Sequence, residues 1–113
     1  MGGQIKVKLW IDDVRESPPG YRWARSVYEA KTIILDYETM LRFSGGKARY
    51  QIELIDIDHD AGYFAKDGGD YIKILDWLEE TGRNYPIRIH SMNPVGRENM
   101  RAIIQRNGWT EVK

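Results

Sequence analysis

The chain has no cysteine. That excludes disulfides, thiolate catalysis and cysteine-based zinc sites, and it suits a compartment where disulfides do not accumulate. Nor is there an excess of charge of either sign: 17 lysines and arginines balance 17 aspartates and glutamates. No bulk field therefore draws the protein to nucleic acid or to a membrane surface, although local sorting of charge around a nucleotide is compatible with neutrality. No apolar run is long enough to cross a bilayer, and there is no secretory apolar core. The opening Met1-Gly2-Gly3-Gln4-Ile5-Lys6 puts lysine where a myristoylation signal wants serine or threonine. The expectation is a cytoplasmic protein without a membrane partner. What is present, 113 residues of which 42% are hydrophobic and 30% charged, suits a single domain over residues 1–113 with one core.

Residues 5–11 alternate and then turn apolar before Asp12 and Asp13, as a strand entering a core does. Residues 14–20 hold Pro18, Pro19 and Gly20 and must form a loop. Residues 21–25 predict a short second strand. Ser26 with Glu29 three residues later fits a capping box, and Val27, Ala30, Ile34, Tyr37 and Leu41 then share one helical face. That helix should stop near Ser44, Gly45 and Gly46. Residues 51–58 predict a third strand with Asp56 inside it, which is unusual where both faces are buried. Asp56 is an extra pocket carboxylate or, in the favoured reading, the partner of a lysine or arginine on a covering helix. A polar loop over 59–69 leads to a helix capped by Asp70 that carries Ile72, Leu75 and Leu78 and stops at Gly82. Residues 87–90 predict a fourth strand. Asn93 and Pro94 cap and open a last helix with Met100, Ile103 and Ile104 inward. Asn107 and Gly108 end it, and residues 109–112 predict a fifth strand. Strands alternating with helices imply parallel units with right-handed crossovers. The fold class is α/β, a flavodoxin-like three-layer parallel sheet of strand order 2-1-3-4-5, with the first helix reduced to the proline loop.

In such sheets ligands bind beyond the carboxyl ends of the strands, at the switch point between the first and third. Asp12 and Asp13 end strand one, Asp58, His59 and Asp60 end strand three, and His90, Ser91 and Asn93 end strand four. Carboxylates brought this close repel one another unless a positive charge sits among them. A hard divalent ion answers that: Mg²⁺ held by oxygen ligands, or Mn²⁺, which tolerates imidazole as well. Each residue taken alone has a plainer role. Asp12 and Asp13 suit a solvated turn, Asp58 to Asp60 a helix cap, His90 a satisfied histidine near the core, and Ser91 and Asn93 a turn and a cap. Their joint arrival at three adjacent strand ends favours a site. Arg15, Arg97 and Lys66 are either the groups that grip phosphate oxygens or three surface cations among 17, a reading that suits Lys66 better than Arg97, and the amino end of the last helix could add N–H groups near Gly96 and Arg97. Trp10 belongs to the core. Tyr63 and Phe64 either pack as core or lid, the default, or stack on a base or sugar.

Asp12 and Asp13, an aspartate ending strand three and the hydroxyl of Ser91 ending strand four resemble the receiver domains of two-component signalling. That likeness implies Mg²⁺ on Asp12 and Asp13, phosphorylation at Asp58 and a phosphoryl contact from Ser91. Three features depart from it: the proline loop replaces a helix, His59 directly follows Asp58, and only Lys113 stands near the place of the strand-five lysine. A more specific resemblance spans nearly the whole chain. LWIDDVR at 9–15, DHD at 58–60 and HSMNPVGRENM at 90–100 are similar to the receiver-like family called the cyclic-phosphate-processing receiver domain. That family is associated with RNA repair and nucleotide conflict systems, and the resemblance implies action on a cyclic phosphate of a nucleotide or RNA end.

On this reading Asp12, Asp13 and Asp58 hold the metal, and His59 or His90, with Asp58 and Asp60, carry proton transfer or covalent catalysis. Arg15, Ser91, Asn93, Arg97 and Asn99 position phosphate or substrate. The alternatives are a signalling receiver phosphorylated on Asp58 and a non-catalytic module that binds a nucleotide or a protein.

Overall fold

The computed structural model describes residues 5–45 and 50–113. Strand β1 (Ile5–Ile11) and strand β2 (Tyr21–Ala24) are joined by a loop without a helix, and helix α1 (Val27–Phe43) follows. Strand β3 (Tyr50–Ile57) leads through a 3₁₀ turn at Gly62–Lys66 into helix α2 (Ile72–Glu80). Strand β4 (Ile87–Ile89) and helix α3 (Pro94–Asn107) complete the order. All strand pairs are parallel, and the sheet runs β2-β1-β3-β4.

The caps explain the helix boundaries. Ser26 accepts the Glu29 N–H at 3.0 Å, while the Glu29 carboxylate reaches the N–H of Arg25 at 3.3 Å, one residue outside the box expected. Asn93 accepts the Gly96 N–H at 3.0 Å, and Pro94 opens α3 at the position where a missing N–H costs nothing. Gly108 closes α3 in the left-handed region at φ 67°. α1 stops at Ser44; Gly46, also expected there, lies outside the described residues, as do Met1 to Gln4.

Leu9, Ile11, Ile55, Ile57, Ile87 and Ile89 point to the helical side and build the core with Val27, Ala30, Ile34, Ile74, Leu75, Leu78, Met100 and Ile104. Lys8, Trp10, Leu54, Asp56 and Arg88 alternate with them and face the other way. Both crossovers run in the same direction across the sheet, so right-handedness puts α1 and α2 on one face. α3 packs against α2 on that face too. The described helices thus form two layers with the sheet, where three were expected. The connection that would carry a helix to the second face is the proline loop, which folds over it and accepts the Trp10 Nε1–H at the Arg15 carbonyl, 2.9 Å.

Two further expectations are corrected. Residues 109–112 form no fifth strand: a single bridge pairs Glu111 with Ile87, through Ile87 N–H to the Thr110 carbonyl at 3.0 Å and Val112 N–H to the Ile87 carbonyl at 2.7 Å. β4 is three residues long, and Glu111 turns to Arg101 of α3 at 2.8 Å instead of extending the ladder. Asp70 does not cap α2. Its carboxylate accepts the Ala61 N–H at 3.0 Å, and α2 begins after Tyr71 without a side-chain cap.

Candidate functional site

Register assembles the rim. Ile11 lies opposite Ile57, and Ile57 opposite Ile89, so the next residues of three strands, Asp12, Asp58 and His90, emerge abreast. The ladder continues one step past the strands, with Asp58 N–H on the Ile11 carbonyl at 2.9 Å and His90 N–H on the Ile57 carbonyl at 3.0 Å.

Asp12 is fully buried. One carboxylate oxygen accepts the N–H groups of Val14 and Arg15 at 3.0 and 2.9 Å, which sets the turn out of β1. The other meets His90 Nε2 at 2.9 Å. Burial pushes its pKa up, but the hydrogen bonds from Arg15, Val14 and His90 outweigh that and hold it below the ordinary value. Asp13 goes the other way: burial raises it, and the charges of Asp12 and Asp58 raise it further. Gly62, at φ 55°, lays its backbone against the Asp13 carboxylate, where any Cβ would collide. Asp58 turns one oxygen to the N–H of His59 at 2.8 Å, and its other oxygen makes no hydrogen bond among the described residues.

His90 is held on three sides. Its Nδ1 meets Asp56 at 2.7 Å, its Nε2 meets Asp12, and its ring stacks on Trp10 with centroids 3.9 Å apart and planes 3° from parallel. Each N···O contact needs a proton, so the trio carries both ring protons or a protonated carboxyl. Asp56 is fully buried and also takes Arg88 Nη1 at 3.0 Å. Its partners are thus the neighbouring strand's arginine and a histidine, not a cation on a covering helix. The network Arg88–Asp56–His90–Asp12 crosses from the second face of the sheet into the rim.

His59 sits differently. Its Nδ1 meets Asp60 at 2.9 Å, and its ring lies against Gly96 in the first turn of α3, where a Cβ would strike it. Asn93 Nδ2 reaches both oxygens of Asp60 at 3.4 Å, while its own oxygen caps α3. Tyr71 is buried beneath, with its hydroxyl donating to the Arg25 carbonyl at 2.6 Å. Burial and then the charges of Asp13, Asp12 and Asp58 push the phenol well above its ordinary pKa. It stays a neutral donor.

The other expected residues divide. Arg15 reaches the rim, donating to the His90 carbonyl at 3.3 Å. Ser91 is 2% exposed and accepts the Asn93 N–H at 3.0 Å, which is the turn role. Arg97 is exposed and lines a cleft of about 350 Å³ beside β4 with Arg88, His90 and Ser91. Asn99 is exposed on α3, and its side chain makes no hydrogen bond among the described residues. Lys66 lies on the ring of Tyr63. Reading the sequence missed Tyr71 and Arg88 as neighbours of the site and Gly62 and Gly96 as its spacers. The signal for Gly96 was a glycine inside a helix that did not need one, whereas Gly62 takes a left-handed turn at φ 55° and its approach to Asp13 left no mark in the sequence.

One ligand atom each from Asp12, Asp58 and His90 lies within 4.8 Å of the others, and the same holds for His59, Asp60 and Asp70. Asp13 is outside both sets, yet close enough to feel the charge of Asp12 and Asp58. No helix of the described residues is long and apolar enough to cross a membrane.

No curated protein and no solved structure matches the chain. A model of the cyclic-phosphate processing receiver domain matches residues 7–106, most of the chain, and the protein belongs to that family.

Proposed function

We propose that the protein hydrolyses a cyclic phosphate on a nucleotide or RNA end with the help of a divalent metal. The observation that carries this reading is the convergence of Asp12, Asp58 and His90, one ligand atom of each within 4.8 Å of the others, with Asp13 near enough to feel the charges of Asp12 and Asp58. Such a donor set fits a hard cation: among the described residues Asp58 keeps an oxygen free of hydrogen bonds, and a positive charge would relieve Asp13. Asp12, Asp13 and Asp58 would hold Mg²⁺ or Mn²⁺, which when bound supplies charge neutralisation at the phosphoryl oxygens.

The remaining steps belong to the chain's own groups. Arg15, at the edge of the rim, pairs with the non-bridging phosphate oxygens. His59, oriented by Asp60 through Nδ1, takes a proton from the attacking water and returns it to the departing sugar oxygen. A new P–O bond to water forms as one ring P–O bond breaks, leaving a phosphomonoester. His90 is already engaged on both nitrogens, so it holds Asp12 in place and does not carry the proton.

The test is turnover of 2′,3′-cyclic nucleotides with Mg²⁺ or Mn²⁺. Ring opening is expected with one of the ions; His59→Gln should reduce it by roughly a hundredfold or more, the scale of a lost acid–base group, and Asp58→Asn should reduce it by weakening the hold on the metal. Failure of every cyclic ester with both ions would end the hydrolase reading. Labelling of Asp58 by a small phosphodonor would move the domain to signalling.

A further inference from the structure

An aromatic and cationic ladder borders the acidic rim on the β2 side. The Arg25 guanidinium lies over the Trp23 ring at 4.2 Å and reaches the Phe64 ring at 5.7 Å. Phe64 meets Tyr63 edge to face at 5.5 Å, and the Lys66 ammonium lies 4.0 Å from the centre of the Tyr63 ring. Lys66 also donates to the Tyr63 hydroxyl at 2.6 Å.

Three contacts tie this ladder to the carboxylates. Trp23 Nε1–H donates to the Asp12 carbonyl at 2.8 Å. Tyr71, under the rim, donates to the Arg25 carbonyl. Gly62, the residue before Tyr63, rests on the Asp13 carboxylate. The ladder is therefore fixed to the site and is not a loose surface cluster.

Its outer member is the telling one. Tyr63 is 73% exposed, so neither core nor lid packing accounts for it. A large ring held in water by a lysine at its hydroxyl and by a perpendicular phenylalanine ring is preorganised without being buried. Aromatic faces beside phosphate chemistry stack nucleobases, because every base offers a π-face.

We propose that Tyr63 is the base-stacking subsite of this centre, so that its ligands are nucleotides and not base-free cyclic phosphates. The inference rests on the cyclic-phosphate reading for its substrate but not for its binding test. Lys66 and Phe64 hold the ring, and the base lies over it while the phosphate reaches the rim beside Asp13.

The experiment measures binding of adenosine 2′-monophosphate by calorimetry, and in parallel turnover of adenosine 2′,3′-cyclic phosphate and of glycerol 1,2-cyclic phosphate, which has no base. Tyr63→Ala should weaken nucleotide binding by roughly 5- to 100-fold, the range for one lost base–aromatic stack. Tyr63→Phe should keep it, and thermal unfolding of both variants should match the wild type. Nucleotide affinity unchanged in Tyr63→Ala overturns the inference. So does a wild type that turns over the glycerol ester as well as the nucleotide, and that result leaves the hydrolase reading standing. Binding that depends on Tyr63 without turnover of either ester supports the stacking subsite and removes the hydrolase reading alone.

Discussion

Both ring nitrogens of His90 end on carboxylates, and two of the three groups are fully buried. Removing one partner of such a set leaves an uncompensated charge in a poor solvent, a loss of about 3–5 kcal/mol. Asp56→Ala should therefore cost about that much in urea unfolding. Arg88→Ala should cost under ~1 kcal/mol, because the arginine side chain is 43% exposed and screened by water. Equal losses in the two variants would contradict a network whose weight lies on the His90 side. Gly96 offers a second residue-scale test. Helix propensity alone says that Gly96→Ala gains about 1 kcal/mol, yet the new Cβ would strike the His59 ring. The expected result is no gain in stability and a displaced His59 resonance in the NMR spectrum; a stabilised variant with an unmoved His59 would deny the contact. At this scale the strand-end positions of Asp12, Asp13, Asp58 and His59 were legible in the sequence, because acidic pairs after apolar runs mark strand ends. It could not say that His90 faces Asp56, since that depends on the register Ile57 to Ile89, which no local pattern encodes.

Among elements, boundaries written in local chemistry were readable and those set by distant partners were not. Ser26 and Asn93 cap as their types demand. Asp70 looked equally suited, but the Ala61 N–H in the loop after β3 captures it. The fifth strand failed for a similar reason, with Glu111 drawn to Arg101. The proline loop in place of a helix was legible because Pro18 and Pro19 remove the donors a helix needs. What it implied, that the described helices share one face, required the strand order. The caps give a matched prediction. Asn93→Ala should cost about 1 kcal/mol through the orphaned first turn of α3. It should also loosen Asp60, which Asn93 touches at 3.4 Å. Asp70→Ala should leave α2 helical in hydrogen exchange while the amide of Ala61 loses protection. Fraying of α2 in Asp70→Ala would restore the cap that the sequence suggests.

For the whole molecule, charge balance hides an acid sensitivity concentrated in a few pairs. Burial pushes Glu38 up, but Arg83 at 2.8 Å and the Tyr85 hydroxyl outweigh it and bring the carboxyl below its ordinary 4.5, tying α1 to the segment before β4. Asp12 is likewise held below its ordinary 3.8. A carboxyl whose folded pKa is depressed binds fewer protons folded than unfolded, so its stabilisation is complete above the unfolded value and drains as pH falls through the folded one. Stability should thus fall as the pH drops from 4.5 through 3.8 and below. Asp13, raised by burial and its neighbours, works in the opposite sense: its protonation on the way down relieves repulsion and offsets part of the loss. Glu79 is held at about 2 by Arg106 and Asn107, but the Arg106 side chain is 58% exposed and that of Glu79 30%, so salt should screen the pair. Urea unfolding at a series of pH values, repeated in high salt, separates these contributions. The acid limb should persist in salt and flatten in Glu38→Gln, which cannot titrate there. A limb abolished by salt would place the acid sensitivity on the exposed surface pairs instead, and a limb that persists in salt but is unchanged in Glu38→Gln would remove Glu38 from it and leave Asp12.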